Sequence, residues 1–169
     1  WDFVKKQLAQ GRQAYVIYPM IDEPSNPELK AVEAEFMRIT KEIAPFNAGL
    51  LHGRMKGSDK EYVMQQFAHN QVQLLVTTSV VEVGVDVPNA TVMVVENAER
   101  FGLAQLHQFR GRIGRGKEES FCILIVADSA DDSMERLKIL EESRDGFRIA
   151  EEDLKIRGPG DFLGDRQHG

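Results

Sequence analysis

The run Gln108-Phe109-Arg110-Gly111-Arg112-Ile113-Gly114-Arg115 concentrates one amide and three guanidinium groups in eight residues. Read as a helix, it places Gln108, Arg112 and Arg115 at i, i+4 and i+7, on one face. Residues 100–117 carry five basic side chains (Arg100, Arg110, Arg112, Arg115, Lys117) and no acid. Clustered guanidinium groups repel unless an anion compensates them, and a phosphate matches the planar fork of arginine through two hydrogen bonds. In phosphoryl transfer such arginines stabilise the charge growing on the γ-phosphate, worth roughly 10³–10⁵ in rate. A solvated basic patch and a structural salt-bridge network use the same spacing, so the residues alone leave these readings open.

The elements that would position this run alternate between strand and helix. A helix over 1–10 ends at Gly11, a glycine suited to a left-handed cap. Residues 14–18 (AYVIY) read as a buried strand. Asn26-Pro27 offers an N-cap followed by proline at the first helical position. Leu29, Val32, Phe36, Ile39 and Ile43 then recur at three- and four-residue steps, the signature of a one-sided helix. A short strand is expected near 48–51, and Ser58 with Glu61 forms a capping box for a helix through Phe67. The runs 74–78, 91–95 and 121–126 are almost continuously apolar, as strands covered on both faces are. A helix over roughly 132–143 follows, and the end is rich in glycine and charge. The alternation predicts an α/β domain with a mainly parallel sheet between two helical layers, residues 1–127, and an extension over 128–169.

Composition narrows the field. At 169 residues and 42% hydrophobic the chain can bury a real core. No apolar stretch approaches the roughly 18–20 residues that cross a bilayer, so no membrane partner is expected. The single Cys122 allows no intrachain disulfide and suits a reducing, cytoplasmic setting. Four scattered histidines and one cysteine give no metal-ligand spacing, and no metal site is expected. The net charge of −6 argues against nucleic acid only at first sight. Residues 128–153 hold ten of the acids, while 100–117 hold none, and phosphate responds to the local field. A chain that starts at Trp1 and stops at Gly169 reads as a piece of a longer protein.

Two stretches together carry a resemblance. Gln108-Phe-Arg-Gly-Arg-Ile-Gly-Arg115 resembles motif VI of superfamily 2 helicases, Q-x-x-G-R-x-G-R. Thr77-Thr78-Ser79-Val-Val-Glu82-Val-Gly84-Val-Asp86-Val-Pro88 resembles their motif V, at the expected spacing and with a strand between. The match implies the second RecA-like domain of such a motor, a three-layer fold of the P-loop NTPase type. It implies that Arg112 and Arg115 reach the phosphates of ATP, Arg115 as the arginine finger, with Gln108 coupling the nucleotide site to the motif. Gly84 and Asp86 would lie beside ribose and phosphates, glycine permitting close backbone approach and the carboxylate accepting from a hydroxyl. Thr77, Thr78 and Ser79 end a strand where hydroxyls and amides can hold DNA phosphates, although β-propensity alone also explains threonines there. His52-Gly53-Arg54-Met55 resembles the family's H-G-x-M element near the nucleic-acid track.

The run from Phe101 to Gln108 and the tail DGFRIAEEDLKIRGPGDFLGDRQHG resemble the RecG branch and, beside it, the transcription-repair coupling factor Mfd. Glu82-Val-Gly-Val-Asp86 and Arg157-Gly-Pro-Gly160 favour the RecG branch. In the tail, Arg157 and Gln167 match polar positions that link ATP turnover to movement along duplex DNA. The ending Gln167-His168-Gly169 departs from the pattern, where serine or threonine commonly precedes the last glycine. No G-x-x-x-x-G-K-[ST] loop and no Asp-Glu magnesium motif is present. ATP and Mg²⁺ are therefore expected to be held mainly by an upstream RecA-like domain of the same polypeptide, with none bound tightly by this chain alone. Duplex and branched DNA and a DNA wedge domain complete the implied partners, in a bacterial cytoplasm. The alternatives are the equivalent Mfd domain, a non-catalytic docking domain and a DEAD-box RNA helicase.

Overall fold

A computed structural model describes residues 1–19, 27–78, 86–127 and 131–157. The first helix, α1 (Asp2–Ala9), buries Val4 and Leu8. It closes on Gly11 at φ +81°, whose N–H bonds Leu8 O while Arg12 N–H bonds Gln7 O. These paired bonds satisfy carbonyls that a helix end leaves open, and a left-handed glycine makes them reachable. Among the described residues five strands follow: β1 (Gln13–Ile17), β2 (Ala48–Leu51), β3 (Leu74–Thr77), β4 (Ala90–Val95) and β5 (Phe121–Leu124). They form one sheet in the order β2-β3-β1-β4-β5, and every pairing is parallel. Val16 of the central strand pairs with Val76 on one side and Val94 on the other.

Side chains alternate across the sheet with period two. Ala14, Val16 and Tyr18 face a layer made by α1 and α2 (Pro27–Glu42), where Val32, Ile39 and Ile43 are buried. Tyr15 and Ile17 face the opposite layer, built from α3 (Gly57–Ala68), α4 (Leu103–Arg110), α5 (Asp131–Glu142) and α6 (Gly146–Arg157). Leu137, Leu140 and Ile149 join Leu103, Leu106 and Phe109 in that second core. Buried Gln13 donates its amide to Phe67 O (2.6 Å) and Val72 O (2.9 Å), tying the start of β1 to the end of α3. No helix among the described residues is long and apolar enough to cross a membrane.

One expected device is absent. The helix α3 begins at Gly57, with extended Lys56 as its cap and no side-chain capping bond. Ser58 therefore lies inside the first turn, its hydroxyl 3.4 Å from the Asp59 carboxylate, and the Ser58/Glu61 capping box does not form. Lys56 O already accepts from Asp59 and Lys60, so the helical turn starts two residues too early for Ser58 to cap it.

Candidate functional site

The helix that leads to the arginines starts after Gly102 and buries Leu103, Leu106 and Phe109. Phe101 packs edge-on against Phe109 with ring centroids 5.4 Å apart. The helix stops at Arg110, capped by Gly111. Gln108 is thus exposed on the last turn, whereas Arg112 and Arg115 stand on the loop beyond it. The expectation of one helical face carrying all three is corrected. Two glycines, poor helix formers, and the burial of Ile113 turn the chain instead. Arg112 N–H bonds Phe109 O (2.9 Å), and Gly114 reverses direction at φ +72°. Gly114 fits because a Cβ there would overlap the Ser120 hydroxyl.

This loop lies against the segment before β4. A Cβ on Gly116 would come within 3.0 Å of Pro88 O, so the two backbones touch. That contact places Arg115 Nη1 3.4 Å from Asp86 Oδ1, while Arg115 Nε donates to Gly111 O at 3.2 Å. Both side chains remain about half exposed (44% and 53%), so the pair is open to exchange with another anion or cation. Among the described residues the Arg112 side chain makes no hydrogen bond or ion pair, and its backbone N–H alone is bonded, to Phe109 O. Below them sits Tyr15, buried in β1 with its ring 4.9 Å from Phe67. Burial pushes its phenol up to about 12, and the fields of Arg112, Asp86 and Arg115 all reach it, the two arginines pulling it down. Three segments far apart in sequence, near residues 15, 86 and 112–115, therefore converge. Within the run 14–18 (AYVIY) Tyr15 reads as part of a buried strand, and nothing in the sequence separates it from Tyr18 as a neighbour of the arginines.

A second group occupies the C-terminal ends of neighbouring strands, the rim where parallel α/β sheets receive ligands. His52 follows β2, Thr77 ends β3 and Thr78 follows it; Thr78 N–H bonds Leu51 O at 3.3 Å. Thr78 Oγ1 and His52 Nδ1 are buried without a hydrogen-bond partner. Burial lowers the His52 pKa, opposed by Glu33 and reinforced by Lys60 and Arg54. Gly53 has open space where a Cβ would stand, so packing does not require glycine there. Arg54 is exposed beside it. Ser79, Gly84 and Gln167 lie outside the described residues, as does the side chain of Arg157, which ends α6.

Not all of the basic run faces solvent. Arg110 donates to Leu140 O in the last turn of α5 and to Ser143 O just past its end (3.0 Å), and contacts His107 Nδ1 at 3.0 Å. It is committed to the fold and unavailable to a phosphate, which corrects its place in the expected patch. Asp153, buried on α6, accepts from Leu103 N–H at 3.3 Å. Neither contact was legible in the sequence.

Residues 1–117 match the helicase conserved C-terminal domain family. The ATP-dependent DNA helicase RecG of Synechocystis is 52% identical over 170 residues, covering 100% of this chain and 20% of that protein. RecG of Thermotoga maritima is 49% identical, covering 100% of this chain and 22% of its own length. The chain thus spans about a fifth of these relatives. The solved structure of RecG bound to a three-way DNA junction superposes with a TM-score of 0.80 at 47% identity, over 96% of this chain and 21% of that one. The C-terminal domain of Saccharomyces cerevisiae Dbp5, at 18% identity and a TM-score of 0.57 over 83% of this chain, shares the RecA-like fold. By family match and by likeness along its whole length, the chain belongs to the helicase conserved C-terminal domain family, in the form that RecG helicases carry.

Proposed function

We propose that this chain is the second motor domain of an ATP-dependent DNA helicase that remodels branched DNA, such as stalled forks and junctions, in the cytoplasm. It supplies the arginine finger and part of the DNA track and is inactive alone. The observation that carries the reading is the loop after α4, which holds Arg115 half exposed at 3.4 Å from Asp86, with Arg112 unpaired among the described residues. A nucleotide fits this chemistry: two guanidinium groups suit phosphate oxygens, and the Asp86 carboxylate suits ribose hydroxyls. Arg115 would leave Asp86 for the γ-phosphate as water attacks and ADP departs, stabilising charge on the transferring group. Arg112 would share that anion, Gln108 would link it to α4, and Gly84 would let backbone approach the nucleotide.

Because the sequence carries neither a G-x-x-x-x-G-K-[ST] loop nor an Asp-Glu magnesium motif, we assign Mg²⁺ and most triphosphate contacts to an upstream RecA-like domain of the same polypeptide. Mg²⁺ bound there would neutralise phosphate charge. At the strand ends, His52, Gly53, Arg54, Thr77, Thr78 and Ser79 would meet the DNA backbone. The unpaired Thr78 hydroxyl and His52 Nδ1 support this, since buried polar atoms ordinarily have partners. The extension over 128–169, with Arg157 and Gln167, would couple turnover to movement alongside a DNA wedge domain. RecG solved on a three-way junction supports branched DNA as the substrate class.

The test is Arg115→Ala in the full-length protein. DNA-stimulated ATP turnover should fall about 10³-fold or more while junction affinity stays within about twofold. Turnover within about fivefold of wild type would refute the finger assignment. The 169-residue chain alone should hydrolyse no ATP with or without DNA, and hydrolysis surviving Arg115→Ala would refute the shared active site.

A further inference from the structure

The helix that delivers the arginines is gripped at both ends by one pair of helices. At its N-terminus, Gly102 offers no capping side chain. The first helical residue, Leu103, gives its N–H to the carboxylate of Asp153, which reaches over from the middle of α6 and is 8% exposed. A carboxylate at that position does from a distance what a local cap does, satisfying an open amide and facing the positive end of the helix. At the other end, Arg110 donates through both terminal nitrogens to Leu140 O and Ser143 O, carbonyls that the end of α5 leaves open. Between these grips Gly146 opens α6 so close to the His107 ring that a Cβ would stand 3.0 Å from Nε2. Leu103, Leu106, Phe109 and Ile149 are at most 1% exposed in the shared core.

Arg115 follows Arg110 by five residues, and its Nε is itself bonded to the helix cap, Gly111 O. Close packing, two charge-assisted contacts and a glycine contact leave α4 little freedom to move apart from α5 and α6. We propose that Asp153 and Arg110 are positioning residues for Arg115: together they fix both ends of α4, so the α5–α6 pair sets where the finger stands. This rests on the finger reading above. Neither residue touches the nucleotide; both act through the helix. The Asp153 oxygen works as an acceptor, so asparagine, which keeps one, preserves the function, whereas alanine leaves the Leu103 N–H unsatisfied.

Steady-state ATP hydrolysis by the full-length enzyme on a branched duplex decides the matter. Asp153→Ala should lower kcat by about tenfold to a hundredfold, with KM for ATP and junction affinity within about twofold, because misplacing a catalytic group by about 1 Å costs that much. Asp153→Asn should recover kcat to within about threefold of wild type. In an Arg115→Ala background, Asp153→Ala should cost less than about twofold more, since the group it positions is gone. A full multiplicative loss there, an unchanged kcat in folded Asp153→Ala, or an Asn variant as damaged as the Ala variant would each overturn the proposal. Should Asp153→Ala fail to fold, Arg110→Lys carries the test. It keeps the charge but loses the fork, so kcat should fall with KM held, and retained kcat overturns the proposal. If Arg115→Ala itself leaves turnover intact, the finger reading fails first; if it abolishes turnover and Asp153→Ala does not, only the positioning role fails.

Discussion

Gly114 sits between the two arginines, and replacing it with alanine perturbs the loop in two separable ways. Its backbone lies at φ +72°, where an L-residue costs about 1–2 kcal/mol. The new Cβ would also overlap the Ser120 hydroxyl oxygen and stand 3.1 Å from Ser120 Cβ. Rotating the exposed hydroxyl relieves the first contact, but the second requires the strand-leading backbone to yield, adding about 1 kcal/mol. The sum, about 2–3 kcal/mol, is a large share of the roughly 5–15 kcal/mol by which a domain is stable. Urea unfolding of the chain, at an unchanged m-value, should report that loss. The double variant Gly114→Ala/Ser120→Gly should recover about 1 kcal/mol, the overlap alone, and keep the backbone cost. Gly53→Ala is the control: nothing stands within 4 Å of its Cβ position and its φ is not positive, so it should change stability by less than about 0.5 kcal/mol. A Gly114→Ala variant within about 0.5 kcal/mol of wild type would refute the claim that a left-handed glycine shapes the arginine loop.

Two further outcomes follow from burial. Tyr15 is neutral in the fold and its phenol is pushed up to about 12, chiefly by burial. Its contribution is intact below the unfolded value near 10 and is lost as pH rises from there to about 12, by at most about 3 kcal/mol. Urea midpoints at pH 9 and 11 should fall further for wild type than for Tyr15→Phe, and equal losses would contradict this. Burial likewise pushes the Cys122 thiol up to about 11, slightly offset by Arg110. Native Cys122 should then react with iodoacetamide at pH 8 about a hundredfold more slowly than in urea, as followed by mass spectrometry; matching rates would rule out the shift.

Much of this protein was readable from local pattern. The one-sided stripe of α2, the apolar runs of β3, β4 and β5 and the glycine after α1 each reflect neighbours a few residues apart, and the structure contains them. The chemistry-bearing residue types were readable too, because Arg112, Arg115 and Asp86 sit in recognisable spacings. Their arrangement was not. Periodicity says that a segment is a strand but not that β1 lies between β3 and β4. Helical spacing carried the arginines onto one face until Gly111, Gly114 and the burial of Ile113 turned the chain away. The Ser58 box failed because backbone bonds to Lys56 O start the helix early. Arg110, one of five basic residues in an acid-free stretch, found α5 carbonyls thirty residues downstream, and Asp153 found an amide fifty residues upstream. Local sequence determines which elements form and which groups are at hand. The partners of those groups are settled when the two helical layers close on the sheet, because hydrogen bonds and ion pairs act over a few ångströms of space, whatever the distance along the chain.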